Sequence, residues 1–247
     1  MNKPNSKMDI INRLRKEILQ MEGYKVPVTG RKSELGLGML ESAFPNEVFP
    51  LSAIHEFLCT EPEHGATSGG FICGILNRLM LKGGTCLWIS TSRTIFPPAL
   101  YSFGVEPHRV IFIDLYREKE VLWVMEEALK CEGLAAVVAE LKAISFSESR
   151  RLQLAVENSR VTGFIIRKDQ QKISSTACAA RWKVTSLPSS LEDGMPGLGF
   201  PRWNVELLKV KNGNPGSWKI EWSANKFTPI PEDILSTHVS ETERKAG

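Results

Sequence analysis

Five short apolar runs, each separated from the next by a segment of helical spacing, constrain this chain more than any other feature. The runs are "SAIHEFLC" (52–59), "TCLWIS" (85–90), "RVIFIDL" (109–115), "LAAVVAEL" (134–141) and "VTGFIIR" (161–167). Between them, 69–82 places Phe71, Ile75, Leu76 and Leu79 in helical phase, and 118–131 does the same with Val121, Leu122, Met125 and Leu129. "PPALYSFGV" reads as a short helix closed by Gly104, and 147–159 as a further helix. The run 134–141 is apolar throughout instead of alternating, as a strand covered on both faces requires. Strands joined through helices cross over and pair in parallel. The expected fold class is therefore α/β, with a mostly parallel sheet between helices.

After Arg167 the pattern changes. "STACAARWKVTSL", "PRWNVELLKVKN" and "SWKIEWS" are strand-like, and no helix lies between them. "NGNPG" (212–216) is a hairpin turn, so these strands should extend the sheet in antiparallel fashion. "PSSLEDGMPGLGFP" (188–201) is rich in Gly and Pro and reads as a loop. Upstream, residues 6–22 carry Ile10, Ile11, Leu14, Ile18 and Leu19 on one helical stripe, attached through an extended linker that contains Pro27 and Gly30. Three units are expected: residues 1–30 as helix and linker, 31–228 as the main domain, and 229–247 as a mobile tail without apolar periodicity.

The stretch "GATSGGFI" follows the first strand and precedes a helix, where phosphate-binding loops stand. Gly65 and Gly70 have the spacing of G-x-x-x-x-G-K-[S/T], with Thr67 and Ser68 between them, but Phe71 and Ile72 hold the lysine and hydroxyl positions. Phosphoryl transfer rests on the charge and metal ligand that those two positions supply. The expectation is a vestigial loop kept as a backbone turn, with Phe71 and Ile72 plugging the helix start, and no ATPase activity. Glu140, which closes the strand 134–141, is the candidate acidic partner of such a site; the plain alternative is a polar residue where a strand reaches water. Asp114 in 109–115 is a second hint of the same kind, and Glu56, inside the strand 52–59, is a third that could also cap or salt-bridge locally. No nucleophile–base pairing, metal-ligand spacing or cofactor motif stands out among the four histidines and the other titratable residues.

Charge is uneven. From Lys142 to Phe227 there are fourteen Lys/Arg against seven Asp/Glu, an excess of seven, in a chain whose net charge is only +3. Arg167, Lys168, Lys172, Arg181, Lys183 and Arg202 are the candidate contacts to a phosphate backbone. Trp182, Trp203, Trp218 and Trp222 either stack bases or, as the stronger expectation, fill the core. The five cysteines have no C-x-x-C spacing, and four lie in apolar runs, which points to buried, reduced thiols. With no apolar segment of membrane-spanning length and no signal sequence, a cytoplasmic location is expected.

With those residues in view, the chain resembles RecA-related proteins and, within them, the ImuA family of bacterial error-prone repair accessory proteins. The similarity lies in "LGLGMLESAFPNEVFPLSAIHEFL" with the glycine stretch, then "VLWVMEEALKCEGLAAVVAEL", "SRRLQLA", "RWKV", and above all "GLGFPRWNVELLKVKNGNPGSW" with "EW" behind it. The resemblance implies a RecA-like core and a non-enzymatic accessory role in SOS-induced translesion synthesis. It implies as partners an ImuB-like Y-family polymerase relative and a DnaE-type polymerase, with RecA, single-stranded DNA and self-association as further candidates. Ile10, Ile11, Leu14 and Ile18 are then the first candidate partner surface. The alternatives are a DNA-binding RecA-like ATPase or recombinase and a SulA-like inhibitor of cell division.

Overall fold

The computed structural model describes residues 35–168, 174–190 and 199–231, together with Ile11 and Leu14. Among the described residues, nine strands form one sheet in the order β3-β2-β4-β5-β1-β6-β7-β8-β9. β1 (Ile54–Leu58), β2 (Thr85–Ser90), β3 (Val110–Asp114), β4 (Leu134–Leu141) and β5 (Thr162–Arg167) are all parallel, as the alternation requires. β6 (Ala180–Ser190) continues the parallel set beside β1. β7 (Phe200–Val210), β8 (Gly216–Ser223) and β9 (Lys226–Pro229) then turn back and forth as antiparallel hairpins. The fold is thus α/β, mostly parallel, with an antiparallel C-terminal extension.

The helices divide between the two faces. α1 (Glu63–Leu79) packs on one face in a cluster that includes Phe71, Ile75, Trp182, Trp203 and Phe227. α2 (Glu118–Leu129) and α3 (Phe146–Ser159) cover the other, through Val121, Met125, Leu129, Leu152 and Val156. Every residue of β1 and β5 is buried, because both strands lie between the two layers. A capping box starts α3: Ser145 Oγ accepts the Glu148 N–H at 3.2 Å, and Glu148 accepts the Ser145 N–H at 2.8 Å. Gly104 ends the 3-10 segment Pro97–Phe103 in the left-handed region (φ 71), where a side chain would also strike Asn77.

Three expectations are corrected. α1 begins at Glu63, six residues earlier than its apolar spacing predicts. β6 and β7 reach further into the Gly/Pro-rich segment than its composition implies, through Ser190 and from Phe200. Pro188 is accommodated where the β6–β7 register shifts between Leu187 and Ser190, so its missing N–H interrupts no regular ladder. A further strand, β9, ends in Pro229 at the boundary expected for the tail. Residues 191–198, Ile10 and Ile18 lie outside the described residues; Ile11 and Leu14 are helical and exposed. Among the described residues, no helix is long and apolar enough to cross a membrane.

Candidate functional site

The carboxyl ends of parallel strands are where open α/β sheets hold ligands. Here that edge brings together Leu58, Ser90, Asp114, Leu141 and Arg167, with the glycine stretch above it. A phosphate-cradling loop aims several free backbone N–H groups at its anion. In this chain Gly65, Thr67, Ser68, Gly69 and Gly70 are all helical, and none of the three glycines has positive φ. The expected backbone turn is therefore a helix. Its first amides are already bonded: His64 N–H to the Glu61 carbonyl at 3.1 Å and Gly65 N–H to the Pro62 carbonyl at 3.3 Å. Exposed carboxylates, Glu61 and Glu63, flank this helix start and repel an anion.

The would-be site residues point into the protein. Thr67 Oγ1 donates to the Glu63 carbonyl at 2.9 Å, and Ser68, fully buried, lies 3.6 Å from Cys59 Sγ. Burial holds the Cys59 thiol above its ordinary pKa, which favours the protonated form. Phe71 is fully buried, with ring centroids of Phe57, Trp182, Trp203 and Phe227 between 5.1 and 6.1 Å away. Ile72 is equally buried. The glycines instead let the C-terminal aromatics approach α1. A Cβ on Gly74 would lie 2.5 Å from Phe227 and 3.0 Å from Trp222, and one on Gly70 would lie 3.0 Å from Phe103.

Glu140 is buried at the end of β4, and its carboxylate is already occupied. Trp88 Nε1 donates to it at 2.9 Å, Thr94 Oγ1 at 3.2 Å, and Lys168 Nζ lies 2.6 Å from Oε2. A partly exposed ammonium thus stands against the carboxylate that a divalent cation would need. Asp114 is likewise paired, with Arg93. Sequence spacing gave no sign of the Lys168–Glu140 contact, because the two residues come together only through β4–β5 pairing.

The expected basic surface is corrected in the same way. Arg167, with 2% of its side chain exposed, donates to Glu56 Oε1 at 3.0 Å, and Arg181 Nε donates to Glu56 Oε2 at 2.8 Å. Thr176 Oγ1 donates to the same carboxylate at 2.8 Å. Arg202 Nε donates to Glu221 at 2.7 Å with 9% of its side chain exposed. These guanidiniums tie strands together through carboxylates on neighbouring strands. Lys183 remains half-exposed, opposite Glu206, and Lys172 lies outside the described residues. Charge counts show the surplus of cations but not partners 111 and 125 residues away in sequence. Trp182, Trp203 and Trp222 are buried core residues, and Trp218 is half-buried.

These features define an α/β protein whose described strands form one mixed nine-stranded sheet, with the acidic residues Glu56, Asp114 and Glu140 each engaged by a cation. No family model matches the chain. Two relatives do: Protein ImuA of Caulobacter vibrioides strain NA1000 / CB15N, and Protein ImuA of strain ATCC 19089 / CIP 103742 / CB 15 of the same species. Each is 31% identical over 209 residues, spanning 80% of this chain and 86% of the relative. The chain belongs to the ImuA family.

Proposed function

We propose that this chain is a non-catalytic accessory protein of SOS-induced translesion DNA synthesis. It acts in the cytoplasm with an ImuB-like Y-family polymerase relative and a DnaE-type polymerase. Membership of the ImuA family supports the setting. The observation that carries the non-catalytic part is the helix through Gly65–Gly70, flanked by Glu61 and Glu63 and lacking a lysine at Phe71. Such a corner has neither the donors nor the charge that a nucleoside triphosphate needs. Cations that would serve a DNA-binding recombinase are engaged with Glu56, Glu140 and Glu221.

Co-expression with the ImuB-like protein and the DnaE-type polymerase tests the accessory role. Co-purification is expected, and its failure with the full-length chain refutes it. Comparing the full chain with one lacking residues 1–30 then tests Ile10, Ile11, Leu14 and Ile18 as the contact; equal binding removes them. Calorimetry with Mg-ATP should give no heat of binding, and a micromolar affinity overturns the non-catalytic assignment.

A further inference from the structure

The face of α1 turned toward the 3-10 segment Pro97–Phe103 borders a pocket of about 160 Å³. Gly65, Ala66 and Gly69 form its floor, and Trp88, Phe96 and Phe103 stand around it. The polar side chains in its lining are Cys73, fully buried, and Thr94, whose hydroxyl is bonded to Glu140. The site is therefore apolar. An apolar cavity of about 150 Å³ accepts a benzene ring, so this one has room for a single phenyl group.

Two observations separate this pocket from incidental imperfect packing. A helical glycine costs about 1 kcal/mol relative to alanine. At Gly70 and Gly74 the aromatic contacts explain it, but a Cβ on Gly65 would meet nothing within 4 Å. Phe96, on the pocket's lip, is 68% exposed, an unusual position for a large apolar ring. The helix that supplies the floor also starts beside two carboxylates. Glu61 precedes α1, and Glu63 lies one turn before Ala66; both are exposed, and neither has a cationic partner among the described residues.

We propose that this pocket docks a peptide segment of a protein partner, with one aromatic side chain inserted over Gly65 and Gly69 and lysine or arginine residues beside it facing Glu61 and Glu63. The ring supplies the buried contact, and the carboxylates select the flanking cations and speed encounter. The inference rests on the accessory-protein assignment and gives it a surface distinct from residues 1–30.

The probe is a short fluorescein-labelled peptide with one phenylalanine between paired lysines, titrated into the full-length protein and followed by anisotropy. Binding with a dissociation constant well below about 1 mM is expected. Replacing the phenylalanine with alanine, or the lysines with glutamates, should weaken it at least about tenfold. Gly65→Leu fills the pocket and Phe96→Ala removes its wall. Both change positions with free space or high exposure, so the fold should survive, and each should weaken the peptide about tenfold. Glu61→Gln/Glu63→Gln should weaken it about threefold and flatten its salt dependence. No binding at about 1 mM overturns the proposal, as it would if residues of this chain outside the described set fill the pocket. Equal binding to Gly65→Leu overturns it as well. Self-association lost in Gly65→Leu also overturns it, since the occupant would be a second copy. Repeating the co-purification with Gly65→Leu separates the two levels. If the wild-type chain fails to bring down the ImuB-like protein, the accessory role falls whatever the peptide does. If wild-type and variant bring it down equally, the docking pocket alone falls.

Discussion

Substituting alanine for Gly65 and for Gly74 should move stability in opposite directions. Both glycines lie in the same helix, so backbone entropy alone favours alanine at each by about 0.5–1 kcal/mol. At Gly65 that gain stands unopposed, because the new methyl meets nothing within 4 Å. At Gly74 the methyl would sit 2.5 Å from the tip of the Phe227 ring. That ring cannot swing aside: its centroid is 4.8 Å from Trp222 and 5.1 Å from Phe71, and only 8% of the residue is exposed. Overpacking of this kind costs about 1–3 kcal/mol, leaving Gly74→Ala about 1–2 kcal/mol less stable than wild type. The two variants should therefore differ by about 2–3 kcal/mol, or about 5–10 °C in melting temperature. Urea denaturation of both variants, monitored by tryptophan fluorescence, measures the difference. A phosphate-cradling turn makes the opposite demand at Gly65, where left-handed backbone would penalise alanine by about 1–2 kcal/mol. If Gly65→Ala destabilises the protein, α1 does not begin at Glu63, and both the helical glycine stretch and the docking pocket fall with it.

Other perturbations have equally definite outcomes. Glu56→Gln leaves Arg167 and Arg181 without their shared carboxylate inside the protein, and chemical denaturation should show a loss of about 3–5 kcal/mol. Phe71→Lys/Ile72→Thr restores the residues of a phosphate-binding loop by composition, yet it should unfold the chain by about 4 kcal/mol or more without creating Mg-ATP binding in calorimetry. His55, buried with its Nε2 bonded to the Pro50 carbonyl at 2.8 Å, has its pKa lowered by burial from 6.5 to about 4. Between those values the unfolded chain binds the proton and the native chain does not, so stability is complete above about pH 6.5 and falls toward pH 4. The gap corresponds to about 3 kcal/mol, and thermal melts across that range should lose this increment. A flat profile would contradict the buried neutral imidazole.

The parallel half was legible because each strand and helix there carries its own periodic signal. β2 and β4 coincide with the apolar runs 85–90 and 134–141 that announce them. The start of α1 was not legible, because the glycine spacing mimics a loop, while the rings packed against Gly70 and Gly74 come from distant Phe103, Trp203, Trp222 and Phe227. β9 was hidden for a different reason. It is only four residues long, and its turn depends on Ala224 and Asn225 both adopting positive φ, which the sequence signals only through the asparagine. At the candidate site, Glu140 was found from its place at a strand end, but its ion-pair partner Lys168 and its donors Trp88 and Thr94 were not. Three of the expected DNA-contacting arginines proved to be internal because their carboxylates lie on other strands, a relation set by register and invisible to local charge counting.

The carboxylate of Glu56 joins three strands of different origin in the fold: β1 through its own backbone, β5 through Arg167, and β6 through Arg181. β6 is the strand on which the whole antiparallel extension hangs. Amides of β1, β5 and β6 should therefore open together in native-state hydrogen exchange, and separate opening would refute the link. The corner above α1 contributes nothing to that knot. Substitutions at its exposed positions, such as Ala66 and Phe96, should therefore leave the protection of those amides unchanged.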